Sequence, residues 1–313
     1  NLNMSSSLGI ISLALSTSLI FITNKIFLSK NITDEVNKRS SHTTIATRSG
    51  GIAVFVTLFI ISSINYLIGN TIFDFSYLVP LSLLVAIGSY DDIFTIDFKL
   101  KLIFQIIAAK MIVDTGLLID NFHGILGIYE INRAIAQLLT MFIVISIINA
   151  INFIDGVDGL AISIFTFFIV AFEFFSFSIT PLYYFSIIIL ASLAPLYYFN
   201  FRKRKKVFLG DSGSHLLGGM ISIYVIFILS QNYSIKPQFD IHKILFIISI
   251  LSYPIIDLVR IVFIRLKNKK SPFQADKKHI HHYILGKTKN HFFTTLSILI
   301  ISLFIMVTII FLS

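Results

Sequence analysis

Residues 294–312 read TTLSILIISLFIMVTIIFL, nineteen consecutive positions without a charged side chain. As an α-helix rising about 1.5 Å per residue, this run comes close to the ~30 Å of a bilayer's hydrocarbon layer, and it has no polar stripe with which to face water. Nine further apolar runs accompany it, at 8–28, 50–68, 75–90, 102–119, 135–151, 160–177, 182–201, 215–229 and 241–263. Composition agrees: 56% of residues are hydrophobic and 13% charged, against ~25% charged in an ordinary soluble domain, which excludes a soluble single-domain enzyme. The expected fold is all-α, a polytopic integral membrane protein of about ten transmembrane helices. With no internal repeat and no dividing linker, residues 1–313 are expected to form a single transmembrane domain. The first run is too long for a signal-peptide core and no small-residue cleavage site follows it, so it is expected to be retained. The absence of cysteine excludes disulfides, thiolate metal sites and a cysteine nucleophile.

Ten spans leave five loops on each side, and the Lys/Arg count decides which side is cytoplasmic. If the first loop is inside, that side holds Lys25, Lys30, Lys38, Arg39, Arg48, Lys99, Lys101, the run 202–206 and nine more between 260 and 289, which is 21 of the 25. The other side keeps Arg133, Lys236 and Lys243, with Lys110 inside a span. Both termini are therefore expected outside. The net charge of +9 then reports membrane topology, and no nucleic acid is needed to explain it. Such a surface attracts anionic phosphates, of membrane lipids or of a soluble nucleotide.

Acidic side chains contribute little to topology and cost ~2.5–3.5 kcal/mol at a helix centre, so their positions need another reason. Asp34, Glu35, Asp91, Asp92, Asp97, Asp155, Asp158, Asp211, Asp257 and Asp276 all fall on the inner side of this topology. Hard oxygen ligands gathered on one face suit Mg²⁺. In SYDDIFTIDFKLKLIFQ (89–105), Asp91 and Asp92 point ~100° apart and are expected to differ in role, while Lys101 and Gln105 share a helix face. In INAINFIDGVDGLA (148–161), Asn149, Asn152 and Asp155 recur every third residue as a polar stripe at a helix end, and Gly156 is expected to supply the left-handed turn. In RKRKKVFLGDSGSHLLGG (202–219), small residues and free N–H groups at a helix start form an anion site, with Asp211 placed to hold a cation.

The fourth segment, 253–282, sets Asp257 and Arg260 on one helix face and places three histidines within six residues of Asp276. Zinc is the reading for a histidine cluster, but without cysteine and among aspartates, phosphate or sugar oxygens fit better. His42, His215 and His291 read as surface or packing residues, and His123 and His242 fall on the outer side. A transporter is the rival class, with Lys110, Asp114 and Glu173 marking an ion path. Lys110 and Asp114 are spaced to pair with each other, and the polar residues collect on one face rather than at the midplane, which favours an enzyme.

The motifs YDD, NAINFIDGVDGLA, FLGDSGS and ADKKHIHH, in this order and spacing, resemble the polyprenyl-phosphate N-acetylhexosamine-1-phosphate transferase superfamily, of the glycosyltransferase family 4 type. VNKRSSHTTIATRSGGIAVF (36–55) resembles its first cytoplasmic loop, with Ser49 replacing one glycine of a triplet and Thr47 standing where proline is usual. The HIHH form resembles the branch that uses UDP-N-acetylhexosamines. The resemblance implies an Mg²⁺-dependent transfer, with Mn²⁺ as a substitute, of a sugar-1-phosphate from a UDP-sugar to undecaprenyl phosphate. UMP is released and a lipid-linked cell-wall or O-antigen polysaccharide is started at the cytoplasmic face of a bacterial inner membrane. It further implies Asp211 as the first metal ligand, with Asp92 close to the metal and Asp91 orienting or deprotonating the lipid phosphate, the sequence itself not separating the two aspartates. In the same way it implies Lys101 on a phosphate, Asn149, Asn152, Asp155 and Asp158 on the nucleotide, and Arg265, His279, His281 and His282 on sugar or diphosphate. A homodimer is compatible with such a chain.

Overall fold

The computed structural model describes residues 2–34, 46–124, 127–230, 232–269, 271 and 278–312. Glu35, Lys38, Arg39 and His42 of the first loop, and Asp276, lie outside them. The helices are α1 (Leu2–Ser29), α2 (Gly50–Leu67), α3 (Leu78–Phe94), α4 (Phe98–Asp114), α5 (Arg133–Ile154), α6 (Leu160–Phe175), α7 (Tyr183–Phe201), α8 (Gly210–Leu229), α9 (Lys243–Ile250), α10 (Ser252–Lys267), α11 (Ile280–Thr288) and α12 (His291–Leu312). Strands β1 (Ala46–Thr47) and β2 (Lys206–Val207) pair in parallel, Ala46 opposite Lys206 and Thr47 opposite Val207.

All ten expected runs fall on helices. Among the described residues, seven helices are long and apolar enough to cross a membrane, and the bent pair α9 and α10 makes an eighth. The other two are shorter, 17 residues for α4 and 16 for α6. The protein is thus a multi-pass membrane protein. α8 begins at Gly210 rather than at 215, so the Gly-Asp-Ser-Gly-Ser segment is itself helix. α8 is buried over 94% of its apolar window, whereas α1 and α12 are buried over only 22%, which leaves their apolar faces for lipid.

The chain forms two compact units, residues 1–111 with 179–217 and residues 112–178 with 218–313, with two of the three boundaries inside α4 and α8 and the third between α6 and α7. In the first unit α1 packs along α7 and α2. Lipid offers no hydrophobic gain for bringing helices together, so hydroxyl bonds, ring contacts and small residues do the holding. Ser16 Oγ donates to the Ser192 carbonyl at 2.7 Å, and Phe21 meets Phe199 edge-on at 4.9 Å. At their N-terminal ends α2 and α8 cross on glycine: a Cβ on Gly51 would lie 2.1 Å from Gly213 N. The strand pair runs the approach to α2 beside the approach to α8.

In the second unit α12 packs on α9, α11, α10 and α6, and α10 packs on α5. Its aromatic core stacks Tyr233 on Phe172 at 4.9 Å, with the Tyr233 hydroxyl donating to the Phe172 carbonyl at 2.8 Å. Between α9 and α10 the chain bends by 79°. Pro254 explains the break: its ring has no N–H to give and no room for the carbonyl of Ile250, but it is tolerated in the first turn of a new helix. The restart places Tyr253 and Asp257, four residues apart, on one face of α10. At the end of α5, Asp155 keeps a right-handed conformation with its N–H on the Asn152 carbonyl at 3.3 Å. The left-handed residue is Gly159 (φ 70), ahead of α6, and not Gly156 as the sequence suggested.

Candidate active site

The first unit holds an ion cluster where the end of α3 meets the starts of α4 and α8. Lys101, in the first turn of α4, puts Nζ 2.7 Å from Asp211 Oδ2 and also pairs with Asp91 Oδ2. Asp91 is buried, and its second oxygen accepts from Ile96 N at 2.7 Å. The ammonium thus lies between two carboxylates. Burial opposes its charge, but Asp211 and Asp91 outweigh burial and hold Lys101 above the ordinary lysine range.

Asp92, the next residue, serves a different purpose. Its Oδ1 accepts from Asp211 N at 2.9 Å and its Oδ2 from Ser212 N at 3.0 Å. A side chain from α3 therefore caps the N-terminus of α8, where the helix dipole favours negative charge. Two of the N–H groups that the sequence offered as an anion site are taken by this carboxylate. Gly210 permits the approach: its φ is +73, and a Cβ there would lie 2.6 Å from Asp92 Oδ2. One turn into α8, His215 Nδ1 donates to the Asp211 carbonyl at 2.6 Å, and its Nε2 lies 3.0 Å from Gln105 Nε2. Both side chains are buried, so the first turn of α8 is tied to α4 at Lys101 and again at Gln105.

Beside this cluster, Arg48 donates to Asp34 Oδ1 at 3.1 Å and lines a cavity of about 200 Å³ with Asp34, Asp92 and Thr95. Burial works against the guanidinium, but Asp34, Asp92 and Asp211 carry it above its usual range. Sequence reasoning did not assign Arg48, Asp34, Gln105 or His215 to a site. The i, i+4 spacing of Lys101 and Gln105 was the available signal.

The second unit holds a histidine cluster. His279 Nδ1 donates to Asp257 Oδ2 at 2.6 Å, while Asp257 Oδ1 accepts from Ile280 N at 2.8 Å, so Asp257 caps α11 and orients the ring before it. The Tyr253 hydroxyl lies 3.0 Å from His281 Nδ1. Arg265 is fully buried, its guanidinium 5.3 Å over the Phe153 ring and 3.5 Å from His279 Nε2. His282 packs on His281 with ring centroids 4.3 Å apart. Burial, and then the neighbouring imidazoles, push His281 down to about 3.

The polar stripe of α5 ends in the same unit. Asn149 is buried with Nδ2 donating to the Ile145 carbonyl at 2.8 Å, and Asn152 and Asp155 follow along the helix end, half-buried. Asp158 is held by α12: its N–H donates to His291 Nδ1 at 3.1 Å, its carboxylate is 3.2 Å from the same nitrogen, and Thr295 Oγ1 donates to its carbonyl at 2.9 Å. His291 was read as a surface or packing residue; it anchors the second Asp-Gly turn. Tyr253 and Asp257 had no role assigned from sequence.

The acidic, basic and histidine clusters are thus carried on the helices of a multi-pass membrane protein. The chain belongs to glycosyl transferase family 4: the family's model matches residues 75–229. It is 31% identical over 280 residues to the undecaprenyl-phosphate alpha-N-acetylglucosaminyl 1-phosphate transferase of Salmonella typhi, covering 86% of this chain and 73% of that protein. The enzyme of that name from Escherichia coli (strain K12) is 30% identical over 290 residues, covering 89% and 76%. The probable undecaprenyl-phosphate N-acetylglucosaminyl 1-phosphate transferase of Bacillus subtilis is 28% identical over 288 residues, covering 90% and 77%.

Proposed function

We propose that this chain transfers an N-acetylhexosamine-1-phosphate from a UDP-sugar to undecaprenyl phosphate, starting a lipid-linked surface glycan. The observation that carries the reading is the Asp91–Lys101–Asp211 cluster, found in a member of a family whose relatives are named for this transfer. The excess of Lys and Arg on one set of loops supports an active site at the cytoplasmic face of a bacterial inner membrane.

An oxygen of the lipid phosphate attacks the β-phosphorus of the UDP-sugar. The bond from that phosphorus to the bridging oxygen breaks, and UMP leaves with the electron pair. A phosphate monoester has a second pKa near ~6 and is mostly ionised at pH 7, so the nucleophile needs positioning more than a strong base. Lys101 meets a phosphate oxygen, and Asp91 orients the lipid phosphate. Asp92, with both oxygens on backbone N–H groups, sets the first turn of α8 and through it the place of Asp211.

The donor set fits a hard divalent cation, since Asp91 and Asp211 converge on one positive group. Mg²⁺, with Mn²⁺ as a substitute, would be held there by Asp211, beside the Asp91 that orients the lipid phosphate, and would neutralise charge developing on the diphosphate oxygens. Asn149, Asn152, Asp155 and Asp158 bind the nucleotide. His279, His281 and His282, with Arg265, serve the sugar and diphosphate.

The test is UMP release by purified protein given undecaprenyl phosphate, Mg²⁺ and a panel of UDP-sugars. The reading expects release with a UDP-N-acetylhexosamine. Folded protein that releases none from any donor would overturn it in favour of transport.

A further inference from the structure

Two stacked imidazoles in the second unit, 5.3 Å apart and tilted by only 15°, have different partners at the same ring atom. His279 faces a carboxylate at Nδ1 and His281 faces a phenol. A carboxylate accepts only, so His279 carries its proton on Nδ1 and presents a lone pair at Nε2 to Arg265, 3.5 Å away. For His281 the assignment follows from counting unsatisfied groups. With the proton on Nδ1, both the Tyr253 hydroxyl hydrogen and the Nε2 lone pair would lack a partner. With the proton on Nε2, Tyr253 donates to Nδ1 and only the Nε2–H is left over.

That Nε2 is buried and has no partner among the described residues. It lies beside Gly156, where a Cβ would come within 3.1 Å of it and 3.3 Å of His282 Cε1, so the absent side chain leaves the approach to it clear. An orphaned buried donor costs about 1–3 kcal/mol, which a ligand oxygen would relieve. Asp257, His279 and His281 also lie close enough to ligate a metal. The Asp257 carboxylate, however, is already spanned between His279 and the Ile280 N–H, and the Arg265 cation stands on the far side of His279.

We propose that Tyr253 and Asp257 are positioning residues that hold His281 and His279 in opposite neutral tautomers, so that His281 donates Nε2–H to an oxygen of the sugar-phosphate donor. This rests on the transferase reading. Tyr253 acts through His281 and touches no substrate. Asp257 fixes His279, which in turn keeps Arg265 in place over Phe153. The burial of His281 agrees with a ring that stays neutral at working pH.

The test has a spectroscopic and a kinetic arm, both on the full chain. In ¹⁵N-histidine-labelled protein, with the His281 signal identified by its loss in His281→Gln, His281 is expected as the Nε2-protonated neutral ring, and Tyr253→Phe is expected to mix the tautomers. An Nδ1-protonated His281 in the wild type overturns the proposal. This arm needs no turnover, so it stands apart from failure of the transferase reading, which an inactive wild type would reveal. In the kinetic arm, Tyr253→Phe is expected to raise the KM for the UDP-sugar about tenfold, the size of one lost hydrogen bond to a charged ligand, with the KM for undecaprenyl phosphate unchanged. The effect should vanish in a His281→Gln background. An equal loss in both backgrounds, or both KM values moving together, contradicts it.

Discussion

The ion cluster of the first unit and the histidine cluster of the second use one device to different ends. In each, an aspartate from one helix caps the start of another: Asp92, near the end of α3, takes two backbone N–H groups of α8, and Asp257, in the second turn of α10, takes one of α11 together with an imidazole N–H. In the first unit the capped turn delivers charge, because Asp211 follows Gly210 directly and meets Lys101 and Asp91. In the second it delivers hydrogen-bond direction, because the residues that follow are neutral rings whose tautomers are set by Asp257 and Tyr253. Charge substitutions should therefore be costly in the first cluster, and shape-conserving polar substitutions in the second should act on substrate affinity.

The largest effect is expected from Asp211→Asn. It conserves shape but removes a negative ligand, and loss of a central electrostatic contact costs ~10²–10³ in rate. Turnover at saturating Mg²⁺ should almost disappear while the protein still inserts and folds. Activity within a few-fold of wild type would reduce Asp211 to a helix-start residue. Asp92→Asn should cost about tenfold, with a lower melting temperature, since an amide has one acceptor oxygen for two N–H groups, and a lost cap is worth ~1 kcal/mol. A loss as deep as that of Asp211→Asn, with unchanged melting, would instead make Asp92 a metal ligand.

A smaller effect concerns pH. His281 faces Tyr253, His279, His282 and Asp257, and burial pushes it down to about 3 in the folded protein. An unfolded histidine titrates near ~6.5, so between about 6.5 and 3 the unfolded chain binds a proton that the folded chain does not. The contribution of neutral His281 is whole above that window and is lost as pH falls through it. Thermal melts from pH 7.5 to 5 should show a decline that His281→Gln makes shallower; parallel slopes would place the acid sensitivity elsewhere.

Much of the fold was legible because lipid imposes length and apolarity on each span, and all ten runs fall on helices. Less legible were lengths near the threshold, where α4 carries Lys101, Lys110 and Asp114, and the start of α8. A Gly-Asp-Ser-Gly-Ser segment reads as a helix start, but the residue at which the helix begins depends on a remote carboxylate that caps it. The motifs themselves pointed to Asp91, Asp92, Lys101 and Asp211, but sequence could not separate the first two. Their difference lies in which partner each reaches, a tertiary fact. Gly156 and Gly159 are equally plausible turn residues by type, and the closing bond from Asp155 to Asn152 selects Gly159. His291, Tyr253 and Asp257 escaped because their roles consist of contacts to residues that are distant in the chain or separated by a loop.

The central claim is that a phosphoryl group moves together with the sugar, and the fate of the β-phosphate tests it most directly. Wild-type protein would be given UDP-N-acetylglucosamine labelled with ³²P at the β-phosphate, undecaprenyl phosphate and Mg²⁺, and the lipid and aqueous phases counted. Label should enter the lipid phase in step with UMP appearing in the aqueous phase. Sugar reaching the lipid while the label stays behind as UDP would contradict the account.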